Sequence, residues 1–238
     1  MTWVLALFAA AFLAAMVYEW VQKPKREQAA REARERRASE VARRGWTLDV
    51  TTAHNSTIYV YSGTTGGVAW RCEMSSWTSR GRSSQQKVFT RWSTDAGSLP
   101  EGVFVIWPSF GAGDGKQIDA SMPQFLLDLL LTPLIRALGA DANTASLITN
   151  ATPVASEDPA YLLRATDPDA MQRFLDRGAR EALRDAAPWL PQRASEHHLV
   201  IAVAGRQGLA ILLRGWVDDV DLIERVALVG SRLARAAS

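Results

Sequence analysis

Cysteine and histidine are scarce in this chain, and charge of either sign is in near balance. One cysteine, Cys72, in 238 residues excludes an intrachain disulfide and a thiolate-based zinc site. The three histidines are His54, His197 and His198. The adjacent pair starts an expected strand, where successive side chains point to opposite faces, so the two cannot chelate one ion. Lysine and arginine (27) against aspartate and glutamate (25) leave +2, too little to indicate a nucleic-acid surface. The G-x-S-x-G elbow of hydrolases is missing. Ser84-Gln85-Gln86-Lys87 has S-x-x-K spacing without its companion motifs, and Cys72 has no histidine near it in sequence. No catalytic residue, metal or cofactor is assigned, and the chain reads as leaning away from an enzyme.

Charge is also missing from the first eighteen residues, Met1 to Tyr18. With Trp20 and Val21 beyond Glu19, the run reaches about 21 residues, or about 31 Å as a helix, close to a bilayer's hydrocarbon thickness. Trp3 near one end, with Tyr18 and Trp20 near the other, suits interfacial anchoring. A signal peptide fits less well, since no basic residue precedes the run and Ala14, Ala15 and Met16 offer only a poor cleavage motif. The expectation is therefore a transmembrane helix over residues 1–21 with the lipid bilayer as its partner.

Residues 22–44 hold nine basic and four acidic side chains. Basic residues beside a span stay on the cytoplasmic side. The expected placement is thus a single-pass protein of a bacterial inner membrane, N-terminus outside and C-terminal domain cytoplasmic. Pro24 should mark the exit from the span. Glu27 with Arg31, Glu32 with Arg36 and Glu40 with Arg44 are favourable pairs four apart, so the segment reads as a basic helical stalk. Its stripe of Ala30, Ala33, Ala38 and Val41 is too small for a heptad seam but leaves a homo-oligomer through the stalk open.

Residues 45–238 carry 18 basic and 20 acidic groups and form the expected globular domain, with a sub-boundary near 140–160. Gly45 ends the stalk. Alternating and β-branched runs at 46–50, 58–61, 68–74, 87–92 and 103–107 predict an antiparallel β-meander. Ser121 and Gln124 form a capping box before the apolar helix expected to end near Gly139. Asp167 should cap a helix that Pro168 begins, residues 199–213 should form a hairpin, and Asp218 or Asp219 should cap a final helix. The fold class is α+β: anchor and stalk, then a meander with three helices packed on it.

The order of strand, Thr166-Asp167-Pro168, helix, hairpin and helix over 161–234 resembles a module of bacterial membrane-anchored proteins of unknown function. That resemblance implies a membrane-tethered domain and carries over no site residues.

Two segments stand out as candidate sites. Trp77 and Trp92 flank a polar loop with Arg80 and Arg82; they are the candidate contacts for an unknown protein partner. Gly111, Gly113, Asp114, Gly115 and Lys116 form a glycine-rich candidate ligand loop, although Gln117 after Lys116 breaks the phosphate-loop pattern. The leading expectation is an interaction or scaffold module. Its alternatives are an enzyme or small-ligand sensor using the Gly111–Gly115 loop, and an extracytoplasmic envelope protein whose tryptophan-rich sheet binds polymers.

Overall fold

Gly45, at φ 71°, ends a helix of 42 residues, α1 (Thr2–Arg43). Its amide and that of Arg44 donate to Ala42 and Val41, closing the last turn around a left-handed glycine. The computed structural model describes residues 2–53, 56–78, 86–99, 102–107, 151–155, 161–186, 200–214 and 219–238. The chain divides into two compact units, Met1–Gly45 and Trp46–Ser238.

In the first unit α1 is one element, and Pro24 lies inside it instead of ending it. Among the described residues no helix is long and apolar enough to cross a membrane. This corrects the expected transmembrane helix over 1–21, the single-pass membrane class and the inner-membrane placement with a cytoplasmic domain. The uncharged run stops at Glu19, while the helix continues through the charged segment to Arg43. Of the three aromatic residues expected as anchors, Tyr18 is 58% and Trp20 is 79% exposed. The side chain of Trp3 lies outside the described residues.

The second unit is α+β. Among the described residues nine strands, β1 (Thr47–Ala53), β2 (Ser56–Thr65), β3 (Val68–Thr78), β4 (Gln86–Thr94), β5 (Val103–Trp107), β6 (Thr152–Val154), β7 (Leu162–Ala165), β8 (Val200–Gly205) and β9 (Gly208–Arg214), form one sheet. Their order is β1-β2-β3-β4-β9-β8-β5-β7-β6, antiparallel throughout. The expected five-strand meander therefore stops at β4, because the β8–β9 hairpin enters between β4 and β5. Composition explains the insertion. Val103–Ile106, Val200–Gly205 and Leu209, Ile211, Leu212 and Leu213 are buried on both sheet faces, and such strands belong in a sheet interior. Thr94 fixes the detour: its hydroxyl donates to the Ala69 carbonyl and accepts from the Ala96 amide, and Leu99 N–H then donates to the Gly205 carbonyl. Gly208, at φ 100°, has no room for a Cβ beside the Thr94 carbonyl.

One row of directly opposed residues crosses the sheet: Leu48, Tyr61, Cys72, Trp92, Ile211, Ala202, Val105, Leu163 and Val154. The seven from Tyr61 to Leu163 are buried. Helices cover this face. α2 (Pro168–Phe174) and α3 (Arg180–Ala186) are joined by a wide turn, Leu175–Ala179, in which Gly178 takes φ 104°. α4 (Val220–Ala237) lies over β2, β3, β4 and β9. Its apolar side, including Ile223, Val226, Ala227 and Leu233, is buried, as an amphipathic helix on a sheet requires. A Cβ on Gly230 would come within 2.5 Å of the Trp92 ring, so α4 approaches the sheet at its one side-chain-free position there. Arg232 of α4 pairs with Asp185 at 2.6 Å and Glu181 at 3.7 Å, linking α4 to α3.

The Thr166-Asp167-Pro168 sequence has a structural task. Thr166 N–H donates to the Gly102 carbonyl at 2.9 Å, and its hydroxyl accepts from the Gly102 amide at 3.0 Å, tying the end of β7 to the start of β5. The Asp167 carboxylate accepts from the Asp169 amide at 3.0 Å as the α2 cap. Asp219 caps α4 in the same way. The helix expected over 121–139 lies outside the described residues.

Gly230→Ala is expected to destabilise the domain by about 1–3 kcal/mol, because the ring cannot withdraw from a packed layer. That loss exceeds the gain of about 1 kcal/mol from replacing a helical glycine. Thermal unfolding of wild type and variant measures the sign. Asp167→Ala is expected to cost about 1 kcal/mol through the lost cap, read from urea midpoints at unchanged slope.

Candidate functional site

Trp46, Trp70 and Trp92 are buried in the second unit. Trp46 and Trp70 meet edge to face, ring centroids 4.9 Å apart at 85°, and both are buried. Gly63 makes room for them, since a Cβ there would fall 2.6 Å from Trp46 Cδ1 and 2.8 Å from Trp70 Cζ2. Trp70 Nε1 donates to Thr65 Oγ1 at 2.9 Å. Trp92 is 0% exposed, in the core row under α4. The β3–β4 register puts Cys72 opposite Trp92. Trp92 is thus unavailable as a surface contact. The side chain of Trp77 lies outside the described residues, as do Arg80 and Arg82. The loop Gly111, Gly113, Asp114, Gly115 and Lys116 also lies outside them, together with His54, His197 and His198.

A parity argument in the sequence would have placed Trp92. Thr90 and Trp92 share one face of β4, whereas Lys87, Phe89 and Arg91 share the other; the charged residues mark the latter as the outer one.

That outer face is where β1–β4 differ from the rest of the sheet. Across β5, β7, β8 and β9 the corresponding residues Phe104, Ile106, Arg164, Ile201, Val203 and Leu212 are buried. Across β2–β4, Ile58, Val60, Glu73, Phe89, Arg91 and Ser93 are only half-buried, and Arg71 is exposed. Two cross-strand rows organise it. Asp49, Val60, Glu73 and Arg91 lie opposite one another, and Thr51, Ile58, Ser75 and Phe89 form the next row. Arg71 pairs with Glu73 at 3.4 Å on an exposed surface, a contact of small energetic weight. Ser75 is buried between Ile58 and Phe89, and among the described residues neither its Oγ nor the buried Nε of Arg91 has a hydrogen-bond partner. A donor left this way costs about 1–3 kcal/mol, which an incoming acceptor would recover.

Chemistry of other kinds finds little support among the described residues. No group of three or more His, Cys, Asp or Glu side chains is placed to hold a metal ion. Cys72 is a buried free thiol in the core row, and burial, aided by the neighbouring Glu73 charge, pushes its pKa up to about 12. A thiol held neutral is a packing group and not a nucleophile. Comparison of the chain with models of protein families, with curated proteins and with solved structures found no match in any of the three.

Cys72 in the folded protein is expected to resist alkylation at pH 8 and to react in denaturant. Its raised pKa also sets a sign for alkaline stability. Below pH 9, the ordinary thiol value, folded and unfolded states are both protonated and the contribution is complete. Between pH 9 and about 12 only the unfolded chain releases the proton, so stability falls, by at most about 1.4 kcal/mol per pH unit. Denaturant titrations across that range should show stability falling more steeply with pH in wild type than in Cys72→Ala.

Proposed function

We propose that the Trp46–Ser238 unit is a protein-binding module and that its binding surface is the outer face of β2–β4. The observation that carries this reading is the unequal cover of the one sheet. Across β3, β4, β9, β8 and β5 the described residues of its helix-covered face are buried, whereas the outer face presents Ile58, Val60 and Phe89 half-exposed between Arg71, Glu73 and Arg91. Apolar groups interleaved with arginine have the composition of a non-obligate interface. Ser75 Oγ and Arg91 Nε add two buried, unpartnered polar atoms on that face. The partner is thus a protein segment that sets apolar side chains on Ile58 and Phe89 and brings a carboxylate or backbone carbonyl to Arg91. The proposed surface uses β-strand residues and not Trp92.

A photo-crosslinking amino acid at Val60 or Ser62 should yield the same adduct in cells, while one at Glu224, on the outer side of α4, should not. The partner identified by mass is then purified and titrated. Arg91→Gln is expected to weaken its binding by about tenfold or more, since charge-assisted hydrogen bonds contribute about 1.5–3 kcal/mol. Equal adducts from α4, or binding indifferent to Arg91→Gln and Val60→Asp, would remove the outer face as the site.

A further inference from the structure

The two edges of the sheet are guarded differently. β6 is three residues long and carries Pro153, which has no N–H to offer a new strand. β1 is seven residues long, contains no proline, lysine or arginine, and pairs through its full length with β2 alone among the described residues. Six of its residues are exposed, and Val50, at 46%, is the only large hydrophobic residue exposed on the sheet among those described. Its sequence, Thr-Leu-Asp-Val-Thr-Thr-Ala, is rich in β-branched residues, which favour strand pairing. A long, regular, unguarded edge of this kind is a template for another strand.

We infer that β1 pairs antiparallel with β1 of a second copy of the chain, about a two-fold axis beside Val50. The sequence of the strand selects both occupant and register. Val50 is the central residue of Thr47–Ala53, so this axis uses all seven residues. It sets Val50 against Val50, Asp49 against Thr51, Leu48 against Thr52 and Thr47 against Ala53. No like charges meet, and each copy's single carboxylate faces a hydroxyl able to donate to it. An axis beside Asp49 would oppose two carboxylates and leave two residues unmatched, so the charge pattern disfavours it. The pairing extends the sheet across two copies and covers Val50 on its exposed side. One strand pair buries little beside a standard interface of about 1,600 Å², so the dimer is weak and dissociates on dilution. Val50 and Val60 are on opposite faces of the sheet, and this inference stands apart from the partner surface above.

Sedimentation velocity of the full chain over a concentration series tests it, with Val50→Lys as the edge-blocking variant. The expected result is a reversible monomer–dimer equilibrium that Val50→Lys weakens by about tenfold or more. Val50→Cys provides a second readout, because Cys72 is buried and gives little background. A short bismaleimide should link Val50→Cys to itself and should leave Thr152→Cys, on the guarded edge, unlinked. A chain that stays monomeric throughout overturns the inference. So does a dimer that Val50→Lys leaves unchanged and Val50→Cys does not cross-link.

Discussion

Trp92 meets α4 at residue 230, and the second unit is arranged around that contact. The indole is the largest fully buried side chain among the described residues, and it sits mid-row between Cys72 and Ile211. A helix with a side chain at 230 would have to stand off from the sheet, and the apolar side of α4 would lose its seat along with the ring. Because α4 crosses β2, β3, β4 and β9, the same approach holds the β8–β9 hairpin against β4. That hairpin in turn separates β4 from β5. A single absent side chain therefore constrains both the helix layer and the strand order.

The consequences run outward to the surfaces. With one face of β2–β4 consumed by α4, the polar and half-exposed residues of the other face are left for solvent or a partner. Arg71 and Glu73 are acceptable there because water reaches them; an equivalent position in β7 holds Arg164, buried, with its guanidinium donating to the Ala151 carbonyl. The two halves of one sheet thus follow different rules. Strands β5, β8 and β9 are apolar on both sides, whereas β3 and β4 alternate, and the alternation is what leaves a surface with specific chemistry. β1, at one edge of the sheet, is exposed on both faces and among the described residues pairs with β2 alone.

Much of this was readable in the residues, and the misses have physical causes. The runs at 58–61, 68–74, 87–92, 103–107 and 199–213 all lie on strands or overlap them, because alternation and β-branching are local signals. Strand order is a non-local property: nothing near residue 94 announces that its neighbour comes from residue 209. Pro24 illustrates a second limit. Proline is unfavourable inside a helix, yet strong helix formers on both sides carry α1 through it, and the expected break is absent. Trp92 illustrates a third. Its nearness to a polar loop suggested exposure, while its parity with Thr90 and against Arg91 placed it in the core. The outer face itself was legible only after the register was known, since Val60, Glu73 and Arg91 come from three strands.

Hydrogen–deuterium exchange of backbone amides tests the central claim, that α4 on Trp92 locks the β8–β9 hairpin into the middle of one sheet. Amides of β4, β8 and β9 should exchange only through global unfolding, and in Gly230→Ala they should lose protection together with those of α4. Amides of β1 should exchange much faster in both proteins. Residues 200–214 exchanging as fast as β1, or keeping full protection when α4 loses its own, would contradict the account.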